Sequence, residues 1–112
     1  MADKTYKMKF ITAKELEKDK EKFLILDIRE QERFLQGHIE GCNHIVSYND
    51  LKFGNIDLVK SKFKELPKEK PIVTVCNVGV TAQKASAVLE QMGYNTLVLE
   101  YGMSGWNALK GH

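Results

Sequence analysis

The sequence predicts an α/β fold, a mainly parallel sheet with helices on both faces. Three observations carry this expectation. Strand-like apolar runs alternate with helical stretches along the whole chain. The run Phe23-Leu24-Ile25-Leu26-Asp27-Ile28 is apolar almost throughout, as a strand covered on both faces must be. The segments between runs are long enough for right-handed crossovers, which join parallel neighbours.

The elements follow in order. Residues 8–11 read as a strand, and Thr12 then offers an oxygen to cap a helix over residues 13–20, with Glu15 in the capping-box position. Residues 23–28 form the second strand. Residues 30–36 form a short helix that Gly37 ends, residues 43–46 a third strand. An irregular stretch over 47–54 leads into a helix over 56–66, which Pro67 closes. Ile72-Val73-Thr74-Val75-Cys76 is the most strand-like run of all. After Gly79 an amphipathic helix sets Ala82, Ala85, Leu89 and Met92 on one face and stops at Gly93. Residues 96–99 are the last strand, and Gly102 precedes a closing helix over 104–109.

At 112 residues the chain fits one domain over residues 1–112, with residues 1–7 allowing for a flexible amino end. With 43% hydrophobic and 29% charged residues the composition is that of a folded globular protein. The 17 basic and 15 acidic residues are interspersed, so no one-sided basic face forms and nucleic acid is not an expected partner. No apolar run approaches the roughly 18 residues of a membrane span, and the amino end lacks the apolar centre of a signal peptide. The expectation is a cytoplasmic protein, monomeric or a small homo-oligomer, without a membrane partner and without a cofactor. Cys42 and Cys76 form no Cys-x-x-Cys pair, and each reads as a free thiol.

In a parallel sheet the loops at the carboxyl ends of the strands share one edge, and ligands collect there. That edge gathers Asp27, Arg29, residues 47–54, residues 76–81 and residues 100–103, with Cys76 among them. The segment Cys76-Asn77-Val78-Gly79-Val80-Thr81-Ala82 can fold as a cradle: Gly79 permits a tight backbone path, and successive N–H groups turn toward the sulfur. The helix that follows adds its positive amino end. Both effects favour thiolate, and cysteines so placed have pKa values well below the ~8.5 of a free thiol. A lone cysteine on a strand end otherwise reads as a buried, inert residue. The glycine and the helix start favour the nucleophile.

At these residues the chain resembles the rhodanese family. Asp27-Ile28-Arg29 followed by Phe34, then Gly37-His38-Ile39-x-Gly41, is similar to the family's first block; Cys76-x-x-Gly79-Val80-Thr81 is similar to its active-site loop, and Gly102-Met103-x-x-Trp106 to its closing segment. The resemblance implies a five-stranded parallel sheet and sulfur transfer through a Cys76 persulfide. It also implies that the backbone amides of Asn77, Val78, Gly79, Val80 and Thr81 hold the transferred sulfur. The partners it implies are a small-molecule or protein persulfide donor and a thiol acceptor. The chain departs from the family pattern at four places. Arg33 stands where a glutamate is frequent, Cys42 where alanine is usual, and Tyr101 where a Gly-Gly pair has its first glycine. Asn77 and Val78 stand where thiosulfate-using members place basic residues, so the donor's charge is left to backbone amides and a helix end, and thiosulfate is expected to bind weakly. Mercaptopyruvate-using members share Gly-Val-Thr but have small residues in those two places.

Other readings compete. A phosphatase on a related fold needs Cys-x-x-x-x-x-Arg, with the arginine forked onto phosphate oxygens. Here the sixth position after Cys76 is Ala82, and the only arginines, Arg29 and Arg33, lie outside the loop. His38, Cys42 and His44 lack a fourth partner for a metal site, and no metal is expected. His38 reads as a turn residue bonded to backbone, Cys42 as a small packed residue that leaves a resolving role open. Asp27 and Arg29 stand equally as a support for the loop and as a structural ion pair. Trp106 and Met103 read as core under the last helix, Tyr48 and Phe53 as loop anchors or a pocket mouth, and the lysines over 60–70 as a solvated face. A non-catalytic binding module of the same fold is the alternative of a different class, and the retained Cys76 with its glycine-bearing loop argues against it.

Overall fold

The structure, a computed structural model, describes residues 8–42, 44–47 and 56–111. Five strands make one sheet: β1 (Phe10–Ile11), β2 (Leu24–Asp27), β3 (His44–Ile45), β4 (Ile72–Val75) and β5 (Thr96–Leu99). Their order is β1-β5-β4-β2-β3, and every neighbouring pair is parallel. The expected mainly parallel α/β sheet is therefore parallel throughout. Among the described residues there are five α-helices, α1 (Ala13–Lys18), α2 (Gln31–Gln36), α3 (Ile56–Phe63), α4 (Val80–Gln91) and α5 (Gly102–Lys110), the last of which follows β5.

Alternation along the strands divides the core into two halves. Leu26, Ile28, Ile72, Cys76 and Val98 face Val59 and Phe63 of α3 and Ala82, Ala85 and Leu89 of α4. Ile25, Val73, Val75 and Leu99 face Leu16 of α1 and Met103 and Trp106 of α5, with Ile39 and Cys42 beside them. The central strand β4 is buried at all four positions, which is why it reads as an unbroken apolar run.

The capping box forms as expected: Glu15 N–H donates to Thr12 Oγ1 at 3.1 Å, and Thr12 N–H donates to Glu15 Oε1 at 2.9 Å. α1 nevertheless stops at Lys18, and a 3-10 turn over Lys20–Lys22 follows. α3 stops at Phe63 rather than Leu66, because the chain tightens into three-residue bonds there, Leu66 N–H donating to Phe63 O at 3.0 Å. The buried Tyr94 hydroxyl is shared between the carbonyls of Phe63 and Leu66, the latter at 2.8 Å, and so satisfies the helix end. On α4 the inward face is Ala82, Ala85, Ser86 and Leu89, with Met92 only half-buried. Ser86 can be inside because its hydroxyl pairs with that of Thr74 on β4, 2.9 Å away. The strand expected over residues 8–11 pairs only at Phe10 and Ile11. Asn43 and residues 48–55, with Tyr48 and Phe53 of the expected irregular stretch, lie outside the described residues, as do residues 1–7. Among the described residues no helix is long and apolar enough to cross a membrane.

Candidate active site

The strand order places a reversal of direction between β2 and β4. After β2 the chain moves outward to β3, and after β4 it moves the opposite way to β5, so the two following loops part and leave a crevice at the carboxyl edge. Register makes the two sides level, with Asp27 beside Val75. Cys76 leaves β4 on one side of this crevice, and Arg29 and Glu30 leave β2 on the other.

Cys76 is buried, and its sulfur accepts two backbone hydrogen bonds, from Gly79 N–H at 3.1 Å and Ala82 N–H at 3.3 Å. Gly79 makes the cradle possible. Its φ of +99° is a left-handed conformation that a side chain strains, and α4 starts on the next residue, bringing Ala82 N–H to the sulfur. The sulfur thus sits at the amino end of α4 with two N–H donors on it. Ala82 is one residue beyond the span of amides expected to form the cradle. It also occupies the position where a phosphatase loop needs arginine, and it is wholly buried, its carbonyl accepting from Thr74 Oγ1 at 3.1 Å.

A second helix start fixes the loop from behind. Met103 N–H donates to Cys76 O at 2.8 Å and Ser104 N–H to Asn77 O at 3.1 Å. These bonds hold the first two carbonyls of the loop against α5. Gly102 is what lets the two backbones meet: a Cβ there would overlap Cys76 O and lie 2.8 Å from the Asn77 carbonyl carbon. α5 accordingly begins at Gly102, two residues before the expected start, and Tyr101 precedes it in the left-handed region at φ 61°.

Asp27 and Arg29 form a buried pair. The carboxylate accepts from Arg29 N at 2.9 Å, from Nε at 3.0 Å and from Nη2 at 2.8 Å. Nη2 also donates to Gly37 O at 2.7 Å, so the pair ties the end of β2 to the end of α2. This geometry gives the pair its structural part, while Arg29 additionally faces the crevice.

The crevice holds two adjoining cavities. One, of about 290 Å3, is lined by Cys76, Asn77, Val78 and Thr81 on the loop side and by Arg29 and Arg33 opposite. The other, of about 680 Å3, runs between α2 and α5 and shares Arg29, Arg33 and Asn77 with the first. Arg33 is the residue that reading the sequence missed. It lies outside the loop, yet α2 carries it over the same sheet edge, so a guanidinium lines the Cys76 cavity that the loop itself leaves without a cation. Its position on the helix directly after β2 was the available signal.

The remaining candidates have local explanations. His38 Nδ1 lies 2.8 Å from Phe34 O, and its ring stacks on Phe34 with centroids 3.8 Å apart. Cys42 lies in the core half opposite Cys76, and its thiol donates to Ile25 O at 3.3 Å and His44 O at 3.4 Å. Burial pushes its pKa up to about 11, which favours the neutral thiol. Among the described residues no group of side chains is arranged to hold a metal ion.

Residues 12–109 match the model of the rhodanese-like domain. The chain belongs to the rhodanese family. Among its relatives, the putative sulfurtransferase YtwF of Bacillus subtilis is 32% identical over 81% of this chain and 79% of its own length. The thiosulfate sulfurtransferase GlpE of Pseudoalteromonas translucida is 29% identical over 80% of this chain and 78% of its own. A rhodanese-related protein of Thermoplasma volcanium superposes with a TM-score of 0.77 at 24% identity, over 93% of this chain and 94% of that one, and shares the fold. The three stretches that resemble the family are the parts of this rhodanese-like domain that meet at the crevice: the end of β2 with α2, the loop after β4, and the start of α5.

Proposed function

We propose that this rhodanese-like domain is a sulfurtransferase in which Cys76 takes a sulfane sulfur from a donor and passes it to a thiol or another nucleophilic acceptor. The observation that carries the reading is the Cys76 sulfur held by Gly79 and Ala82 N–H groups at the wall of a cavity that two arginines also line. In the first half-reaction the Cys76 thiolate attacks the sulfane sulfur; the new Sγ–S bond forms, the donor's bond to that sulfur breaks, and the donor remainder leaves with the electron pair. In the second, the acceptor attacks the outer sulfur, the Sγ–S bond breaks, and Cys76 departs as thiolate. The amides of Asn77, Val78, Gly79, Val80 and Thr81 are assigned to the outer sulfur and its charge.

Opposite the uncharged Asn77 and Val78 the cavity is lined by Arg29, Glu30 and Arg33, of which Arg29 is paired with Asp27 and Arg33 is the cation left for a donor. Anionic donors, thiosulfate among them, gain the cation that the loop lacks, and the relatives named thiosulfate sulfurtransferase accord with this. Two free thiols suit a cytoplasmic setting. Initial rates against donor concentration at several acceptor concentrations test the reading: parallel double-reciprocal lines, with turnover abolished in Cys76→Ser, are expected. Intersecting lines, or turnover that survives Cys76→Ser, contradict it.

A further inference from the structure

β4 carries one polar residue, Thr74, which is wholly buried, and Ser86 on the facing side of α4 is equally enclosed. A buried hydroxyl costs stability unless it is bonded, and a valine and an alanine would fill the same space without that cost. The two hydroxyls pair at 2.9 Å, and Thr74 Oγ1 lies 3.1 Å from Ala82 O and 3.4 Å from Leu97 O. Each hydroxyl has one proton to give. Among the described residues Ser86 Oγ has no other partner, so its proton goes to Thr74 Oγ1 and that of Thr74 to the nearer carbonyl, Ala82 O. A serine within a helix commonly turns its hydroxyl back to the carbonyl four residues before, which here is Ala82 O itself. Thr74 makes that bond instead, from the sheet.

Ala82 is also the residue whose N–H donates to the Cys76 sulfur, at 3.3 Å the longer of the two bonds there. Alternation puts Thr74 and Cys76 on the same face of β4, two residues apart, and together they hold Ala82 by both its backbone groups. The hydroxyl takes the carbonyl and the sulfur takes the N–H. We propose that Thr74 and Ser86 are positioning residues for Cys76: their hydroxyl chain fixes the first turn of α4 on β4 so that Ala82 N–H stays on the sulfur. The inference rests on the sulfurtransferase reading, in which Cys76 attacks and later departs with the Sγ–S electron pair, and the N–H meets that charge as the bond breaks. Both residues are enclosed and neither lines a cavity of the crevice, so neither touches a donor or an acceptor.

The test is the double variant Thr74→Val with Ser86→Ala, which keeps the shape of the pair and removes both hydroxyls. Its urea midpoint is expected to equal or exceed that of wild type, since no hydroxyl is left unpaired. Its Ala82 amide proton resonance is expected to move upfield while that of Gly79, the other donor to the sulfur, stays. Alkylation of Cys76 by iodoacetamide is expected to slow roughly tenfold. Thr74→Ser keeps the hydroxyl chain and is expected to keep the wild-type rate. An unchanged Ala82 resonance or alkylation rate in the double variant overturns the proposal, as does a rate loss that Thr74→Ser shares. Ser86→Ala alone leaves the Thr74 proton free to turn to Leu97 O and is expected to move the Ala82 resonance the same way. Should the double variant not fold, this single variant decides, and an unmoved resonance in it overturns the proposal. Sulfur loading of Cys76 is scored separately by mass: a response of Ala82 and of alkylation without loading of wild type defeats the sulfurtransferase reading alone, and loading without that response defeats this inference alone.

Discussion

Cys42 and Cys76 are the same residue in opposite settings, and the difference lies in what surrounds each sulfur. Cys76 receives N–H groups and borders a cavity; Cys42 gives its proton to two carbonyls inside the core. Burial holds the Cys42 pKa at about 11 against an ordinary value of 9.0. A raised pKa contributes stability that is fully present below pH 9 and is lost as pH rises toward 11, because the unfolded chain releases the proton first. The stability advantage of wild type over Cys42→Ala is therefore expected to shrink by on the order of 2–3 kcal/mol between pH 8 and pH 11, measured by urea unfolding at each pH. A constant difference would mean that the thiol ionises freely in the folded protein. At this scale the sequence was informative about Cys76, where a glycine and a helix start flag the loop. It was silent about Arg33, whose part depends on contact across the crevice, and about Ser86, a polar residue made compatible with the core by Thr74.

Helix starts are the elements that build the site. α4 turns N–H groups to the Cys76 sulfur, and α5 turns them to the carbonyls behind it. The junction has no room for a side chain at Gly102, whose φ of +51° is also left-handed. Gly102→Ala is expected to lower stability by roughly 3 kcal/mol or more and to abolish sulfur transfer. Gly111, at φ +80° with nothing near its would-be Cβ, is the control, and its alanine variant is expected to lose only about 1–2 kcal/mol and to keep activity. Unfolding midpoints and turnover on the two variants check this; equal effects would remove the packing argument. Tyr101 holds its left-handed conformation at a comparable cost of roughly 1–2 kcal/mol relative to glycine. Element identity was legible where pattern and punctuation agree, as for α1 with its capping box and β5, whose bounds match. Boundaries were not legible where a partner from elsewhere sets them. α5 begins early because Cys76 and Asn77 supply acceptors for its first amides, and α3 ends early beside the Tyr94 hydroxyl.

For the whole molecule, the parallel sheet concentrates the chemistry at one edge, and the reversal between β2 and β4 chooses the place on that edge. The alternation of strands and helices made the fold class legible, and the three resembling stretches marked the loops that meet. Which strands are neighbours is a long-range matter that periodicity does not encode, so the two cavities and the arginines that line them came only from the fold. All of it depends on one claim, that Cys76 carries the transferred sulfur. The direct measurement is the intact mass of protein exposed to a sulfane-sulfur donor and freed of excess reagent. Wild type and Cys42→Ser are each expected to gain the mass of one sulfur atom, to lose it on addition of a thiol acceptor, and Cys76→Ser to gain nothing. An equal gain in Cys76→Ser, or a gain in wild type that Cys42→Ser abolishes, would contradict the account.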